Sequence, residues 1–163
     1  MAAGSEHLSR SDVQTRAEAE IVEALAAELK IELVQMPPNI ELAGGVHIEV
    51  DAATPDGTTV VEAYARQGTL MGGQLKKIAE DILKLALLKK EPGREGTTAI
   101  IVFASQEAHD SISGWVLQAA KTFGVWLLVV DISSKLRDEI LRAQGHQVMV
   151  NIDQVADDVA LES

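Results

Sequence analysis

Apolar residues recur at helical spacing near the start of the chain and then change to a strand-like pattern. One apolar stripe is made of Val13, Ala17, Ile21, Leu25 and Leu29. The stripe predicts an amphipathic helix that ends before Pro37-Pro38, because the residue preceding a proline disfavours helical geometry. A short strand over 39–42, followed by Gly44-Gly45, is typical of a tight hairpin.

Two alternating segments, Val46–Ala53 and Thr58–Ala65, flank the sequence Thr54-Pro55-Asp56-Gly57. Proline at the first central position of such a sequence and glycine at its end favour a type I turn, so the segments are predicted to pair. In that register Asp51 lies opposite Val60, and Glu49 lies opposite Glu62. Because side chains alternate across a sheet, one face is expected to carry His47, Glu49, Asp51, Glu62 and Tyr64. The other face is expected to carry Ile48, Val50, Val61, Ala63 and Ala65.

From residue 70 onward, helical segments alternate with continuous apolar strands. A long helix is predicted over Leu70–Lys90, with a polar stripe of Gln74, Lys77, Asp81 and Lys84. The later elements are predicted strands over Thr98–Ala104, Val125–Val130 and Gln147–Val150, and helices over Ser111–Phe123 and Ser134–Ala143. Apolar strands separated by helices indicate parallel βαβ units that are covered on both faces.

Length and composition indicate one α/β domain, since 163 residues with 47% hydrophobic side chains can bury a single core. We expect this domain over 11–150, a disordered N-terminus over 1–10 and an acidic C-terminal tail over 151–163. The absence of cysteine excludes disulfides and thiolate zinc sites. The apolar runs are too short to span a bilayer, which favours a cytoplasmic protein without membrane contact.

The charge of the chain is uneven, although its net value of −11 opposes nucleic-acid binding in general. Residues 66–94 hold seven of the 14 basic residues and carry a net charge of +4. This segment is interpreted either as a solvated helix face or as a local footprint for a polyanion.

Asp51 and Glu62 are the candidate metal ligands, because two carboxylates on one sheet face suit a hard cation. Mg²⁺ or Mn²⁺ takes oxygen ligands and keeps several waters, so two protein carboxylates suffice. Such a metal activates water and neutralises charge on a phosphate. The alternative interpretation is that both carboxylates lie on the solvated face of an amphipathic hairpin.

The segment Val46–Lys90 resembles the metal-binding half of the PD-(D/E)xK, or restriction-endonuclease-like, superfamily. It runs from Val-His-Ile-Glu-Val-Asp through Val-Val-Glu-Ala-Tyr-Ala-Arg to Gly-Gln-Leu-Lys-Lys-Ile-Ala-Glu-Asp. The resemblance covers about Ala17–Ala104. It implies an α-β-β-β-α-β core with a mixed sheet and a C-terminal α/β extension.

The resemblance also implies roles for individual residues. Asp51 and Glu62 become the metal carboxylates, and Glu23 on the first helix could add a third. The family's lysine position is Tyr64 here, so Lys77, with Gln74 beside it, is predicted to supply the missing amine from the next helix. The residues expected to contact nucleic acid are Arg66, Lys76, Lys77 and Lys84.

Three functions therefore remain open from the sequence. The first is a Mg²⁺- or Mn²⁺-dependent nuclease acting on DNA or RNA, in which the resemblance also implies a homodimer. The second is a catalytically inactive module of the same fold that binds nucleic acid or a partner protein. The third is an unrelated α/β protein that binds a small molecule at the strand ends, near Ser105, Asp131 and Ser133.

Overall fold

A computed structural model of the chain describes residues 10–145. Over these residues the helices are α1 (Arg10–Leu29), α2 (Gly72–Lys90), α3 (Gln106–Asp110), α4 (Gly114–Phe123) and α5 (residues 134–145). The strands are β1 (Val34–Gln35), β2 (Ile40–Glu41), β3 (His47–Ile48), β4 (Ala52–Ala53), β5 (Thr59–Tyr64), β6 (Thr98–Phe103) and β7 (Val125–Val129). The predicted tails, apart from Arg10, and the predicted strand over Gln147–Val150 lie outside the described residues.

The main sheet has five strands in the order β1-β4-β5-β6-β7. Its first two pairings are antiparallel and its last two are parallel, so it is mixed as predicted. Along the chain the core runs α1-β1-β4-β5-α2-β6, followed by α3, α4, β7 and α5. The predicted α/β class, with an α-β-β-β-α-β core and a C-terminal α/β extension, is confirmed.

Helices cover both faces of this sheet, because successive side chains of each buried strand are apolar. On one face α2 and α4 pack with the Val60 side of β5 and with Phe103, and on the other face α1 and α5 pack with Val61 and Val102. The short β2–β3 hairpin turns at Gly44 and packs on the α2 side. None of the helices within residues 10–145 is long and apolar enough to cross a bilayer.

The register of the β4–β5 hairpin differs from the predicted one by two residues. Ala53 rather than Asp51 pairs with Val60, and Ala52 pairs with Val61. The cause is a longer turn, in which Asp56 Oδ1 accepts hydrogen bonds from the Thr54 hydroxyl (2.8 Å) and from Thr58 N–H (3.1 Å). A shift of two keeps the residues that remain paired between β4 and β5 on their faces, and it brings Asp51 beside Glu62.

The predicted strand Val46–Ala53 is wrong as a single element, because it divides into β3 and β4. β3 pairs with β2 in a separate sheet, and the chain is not in a strand between Ile48 and Ala52. Ile48 and Val50 therefore join the core on the α2 side with Val60, and they do not share a face with Val61 as predicted. Alternation holds only along an unbroken strand.

The predicted helix over Ser111–Phe123 begins three residues later, as α4, and a separate short helix, α3, precedes it. Serine side chains take backbone partners at the break: the Ser111 hydroxyl donates to Ala108 O (2.7 Å) and accepts from Leu70 N–H (3.1 Å). Such bonds compete with helix continuation. Trp115 and Trp126 are not core residues, since they are 74% and 62% exposed.

Candidate active site

Asp51 stands where the antiparallel ladder between β4 and β5 ends. Its backbone N–H donates to Val61 O (3.1 Å), and its Oδ2 accepts from Ala63 N–H (2.8 Å). The carboxylate thus accepts a hydrogen bond from a backbone N–H that would have paired with β4 if that strand were longer. These two bonds join Asp51 to Val61 and Ala63, the residues on either side of Glu62. They hold the half-buried Asp51 carboxylate beside Glu62.

Glu62 is buried in the middle of β5, with 6% of its surface exposed. Burial raises the pKa of its carboxyl group, and the neighbouring Asp51 carboxylate raises it further, to about 8. The alternative that this carboxylate lies on a solvated hairpin face is therefore wrong. A buried acid with a strongly raised pKa beside a second carboxylate is a marker of functional sites.

Lys84, on α2, is the cation that reaches Glu62. Its Nζ forms an ion pair with Glu62 Oε1 and donates to Glu49 O (2.8 Å), and the side chain is 26% exposed. Beyond the Lys84 ammonium, Glu62 Oε1 has no hydrogen-bond donor among residues 10–145. Lys84, predicted as a nucleic-acid contact, is half-buried and paired with Glu62.

Asp81 and Lys77 complete the charged cluster on the same helix face. Asp81 is 5% exposed and accepts a hydrogen bond from Lys77 Nζ (2.6 Å), and its Oδ1 lies 3.9 Å from Lys84 Nζ. Partial burial lowers the pKa of Lys77, but the bond to Asp81 and the charges of Asp81 and Glu62 outweigh that effect and raise it. Lys77, which the sequence singled out as the catalytic amine, is 55% exposed and bonded to Asp81 rather than to Glu62.

The carboxylate that α1 brings towards this cluster is Glu18. Burial raises the pKa of Glu18, the Gln14 amide that donates to it (2.9 Å) opposes that rise, and the charge of Asp51 adds to it. Glu23, the predicted third metal ligand, is exposed on the same helix. Of the two α1 residues, Glu18 is the one with an electrostatic interaction with Asp51 and with Lys77.

A cleft of about 200 Å³ adjoins the charged cluster at the end of β5. Its walls are small or branched apolar side chains from β5, α1 and α5: Val13, Ala63, Ala65, Ile140 and Ala143. Its polar residues are Gln14, Glu18, Tyr64, Arg66, Gln74 and Gln144. The cleft and the carboxylates are neighbours, because Glu18 lines the cleft and has an electrostatic interaction with Asp51.

The polar residues of the cleft differ in how many partners they already have. Gln74 Oε1 accepts from Met71 N–H (2.9 Å) at the start of α2, and Gln144 is bonded through both amide atoms to the Gln67 backbone. By contrast, the Arg66 guanidinium and the Tyr64 hydroxyl have no hydrogen-bond partner within the described part of the chain. Lys76, the remaining predicted nucleic-acid contact, is exposed on α2.

The donor set fits a hard divalent cation that takes two protein carboxylates and several waters. Glu62 Oε1 is buried with the Lys84 ammonium as its polar contact, and one Asp51 oxygen is not used by the Ala63 bond. Among residues 10–145, however, no group of three or more acidic or histidine side chains is arranged to enclose a metal. The residues therefore fit an open cation site that is mostly hydrated.

The strand-end residues of the third hypothesis serve as helix caps. Ser105 Oγ accepts from Ala108 N–H and Gly68 N–H (3.2 Å each), and Ser133 Oγ accepts from Leu136 N–H (3.3 Å). Asp131 is exposed. Both hydroxyls thus already have backbone partners, and this argues against a small-molecule site at these strand ends.

Sequence reasoning singled out Asp51 and Glu62 but not Asp81, Glu18 or the pairing role of Lys84. The polar stripe on α2 contained Asp81 and Lys84, and this stripe was the available signal. It could not show which lysine faces Glu62, because that depends on how far α2 is displaced along the sheet.

Comparisons with known proteins place this chain in no family. No model of a known family matches it, and no curated protein matches it. Among solved structures it is similar to SfsA from Pyrococcus furiosus, a structure determined in complex with Ca²⁺. The TM-score is 0.38 at 19% identity, over 74% of this chain and 58% of that one, so the chain spans less than two thirds of SfsA. A likeness at this level assigns neither a family nor a function.

Proposed function

We propose that this chain is a metal-dependent phosphodiesterase that acts on nucleic acid. The observation that carries the proposal is the buried Glu62 carboxyl, which lies beside Asp51 and contacts Lys84. An arrangement of like charges in the interior destabilises the fold, and active sites are where such arrangements are found.

In this proposal Asp51 and Glu62 hold Mg²⁺ or Mn²⁺, with Glu18 as the further carboxylate in place of Glu23. The metal supplies Lewis-acid activation of water and of the phosphate. Hydrolysis adds the water oxygen to phosphorus and breaks one ester bond, leaving a phosphomonoester and a hydroxyl.

The remaining residues position the substrate and balance charge. Lys84 keeps an ammonium group next to Glu62, where it offsets negative charge that develops on the phosphate. Lys84 supplies from α2 the amine that the family carries on the strand, because Tyr64 stands at the family's lysine position. Arg66, Lys76 and Lys77 flank the cluster and contact the phosphate backbone of the strand.

An inactive module of the same fold is the second candidate. The observation that favours it is the ion pair of Lys84 with Glu62 and the contact of Lys84 with Asp81, which neutralise carboxylates without a metal. In that case the cluster is structural and the surrounding surface binds nucleic acid or a protein.

The test is cleavage of a panel of single-stranded and duplex DNA and RNA with millimolar Mg²⁺ or Mn²⁺. We expect metal-dependent cleavage that falls at least a hundredfold in Asp51→Asn, Glu62→Gln and Lys84→Met. Lys90→Met, which removes an exposed lysine from the end of the same helix, is the matched control and should keep activity. If no substrate is cleaved, with or without metal, the result would favour the inactive module.

A further inference from the structure

The cleft at the end of β5 combines apolar walls with polar groups at its edge. Its apolar walls are alanines and two branched side chains, which leave room for a ring between α1 and α5. A volume of about 200 Å³ is smaller than the usual pocket for a drug-sized ligand, roughly 300–1,000 Å³. The space therefore suits a single ring system rather than a whole nucleotide or a peptide.

Polar groups with unused hydrogen-bonding capacity stand around these walls. Arg66 and Tyr64 are donors without a partner among the described residues. Glu18 has one oxygen bonded to Gln14, and its other oxygen has no hydrogen-bond donor among residues 10–145. A ligand that presents donors and acceptors on one edge satisfies this mixture, whereas a simple anion would oppose Glu18.

The strand edge beside the cleft is also open. β4 pairs with β5 only at Val60 and Val61, and Ala63 N–H is taken by Asp51 rather than by a strand. Ala63 thus borders the cleft without a neighbouring strand on that side, and Ala65 O accepts a hydrogen bond from Gln67 Nε2 (3.0 Å). The small side chains at these two positions allow a planar group to approach the backbone closely.

The position of the cleft relative to the carboxylates matches the spacing within a nucleic-acid strand. Tyr64 lies two residues beyond Glu62, which is about 7 Å along a strand. Glu18 lines the cleft and also has an electrostatic interaction with Asp51 and Lys77, so the two sites are contiguous. A base in the cleft would place its own backbone phosphate next to the charged cluster.

We propose that this cleft binds an unpaired nucleobase at the end of a nucleic-acid strand. The inference rests on the proposed phosphodiesterase function and names its substrate class, a strand whose terminal base is free to leave the stack. Bases that leave the stack are bound in protein pockets by aromatic or apolar side chains on the faces of the base and by hydrogen bonds to its edge. A fully paired blunt end does not supply such a base without the penalty of unpairing it.

The test measures binding of the full chain to fluorescent oligonucleotides by anisotropy, in EDTA so that no strand is cut. The probes are a 12-nucleotide single strand, the same strand lacking its terminal base at the 5′ or the 3′ end, and a blunt duplex. For the unmodified chain, removal of the terminal base at one end is expected to weaken binding about tenfold. The blunt duplex is expected to bind as weakly as that abasic strand.

Two variants connect the effect to the cleft. Ala143→Phe fills the α5 wall, and Arg66→Ala removes a polar partner of the base. Ala143→Phe should weaken binding of the complete strand about tenfold and leave binding of the abasic strand unchanged, because the same contact is then removed twice. Arg66→Ala also removes a phosphate contact, so it should weaken binding of both strands, and binding of the complete strand more than binding of the abasic strand. Arg94→Ala is the matched control, since Arg94 lies near Gly57 in the turn at the other end of β5.

The outcomes separate this inference from the function on which it rests. Equal binding of complete and abasic strands, or abasic binding that falls as much as complete-strand binding in both variants, would overturn the base site. Metal-dependent cleavage by the same preparation would leave the phosphodiesterase proposal standing. If no strand binds and none is cleaved, both proposals fail. Thermal melting checks that each variant is folded. If Ala143→Phe does not fold, the comparison of complete and abasic strands with Arg66→Ala tests the base site.

Discussion

The carboxyl group of Glu62 links the pH of the solution to the stability of the fold. Its pKa is about 8 in the folded chain, whereas an unfolded glutamate titrates near 4.5. Between these values the folded state binds the additional proton, so stability falls as the pH rises from about 5 to 8 and is level above 8. The charged form is the one that the interior disfavours.

Glu62→Gln should therefore stabilise the metal-free protein at alkaline pH. We expect the free energy of unfolding to exceed that of the unmodified chain by about 2 kcal/mol at pH 8.5, with the difference shrinking towards pH 5. Urea unfolding at both pH values measures it. Glu28→Gln, on the exposed side of α1, is the control. A less stable Glu62→Gln variant at pH 8.5 would identify the Lys84 contact as a structural ion pair.

Metal binding at this site should be coupled to release of a proton. A cation needs the ionised form of Glu62, so the apparent affinity for Mn²⁺ is expected to rise up to tenfold per pH unit below pH 8 and to level off above it. Calorimetric titrations in buffers of different ionisation enthalpy count the protons released. An affinity that does not change between pH 6 and 8 would exclude Glu62 as a ligand.

At the scale of elements, short polar contacts hold the loops that border the site. Ser105 caps α3 and also accepts from Gly68 N–H, which connects the end of β6 to the loop after β5. Ser105→Ala leaves both donors without this partner and should reduce stability by about 1–2 kcal/mol. Ser113→Ala, at the start of α4, should cost much less because Ser113 makes no side-chain cap bond. Chemical denaturation of the two variants compares them directly.

The sequence predicted elements better than it predicted how the elements dock. Helical and alternating periodicities located α1, α2, β5, β6 and β7, since burial sets those patterns. The turn register was missed because the Asp56 side chain stabilises a longer loop than the proline–glycine pattern indicates. β3 was missed as a separate strand because alternation continues through a break in hydrogen bonding.

The same distinction explains which site residues could be predicted. Asp51 and Glu62 belong to one strand pair, where local pairing sets proximity. Lys77 and Lys84 are seven residues apart, about 10 Å along the α2 axis, so the docking of α2 decides which amine reaches Glu62. Glu18 and Glu23 are separated by about 140° around α1, and only tertiary packing shows which of them faces inward.

At the scale of the whole molecule, the net charge of −11 limits nucleic-acid contact to the basic residues around the site. With three rim cations, Arg66, Lys76 and Lys77, single-strand binding should weaken with salt with a logarithmic slope of about −2. Arg66→Ala should reduce the size of that slope by about 0.7. Anisotropy titrations over a range of salt concentrations measure both. A slope near −5 or steeper would require a phosphate-binding surface beyond these residues.

Residues 134–145 form one wall of the cleft but contribute nothing to the carboxylate cluster. α5 is fastened to α1 by the Arg16–Glu139 ion pair and by the bond from Ser133 N–H to Glu20 Oε1 (2.6 Å). Asp51, Glu62 and Lys84 all precede this helix in the chain. One wall of the cleft is consequently encoded in a later stretch of the chain than the residues that carry the proposed chemistry. Mutations confined to α5 would then change which substrates fit the cleft, while the residues of the proposed chemistry stay the same.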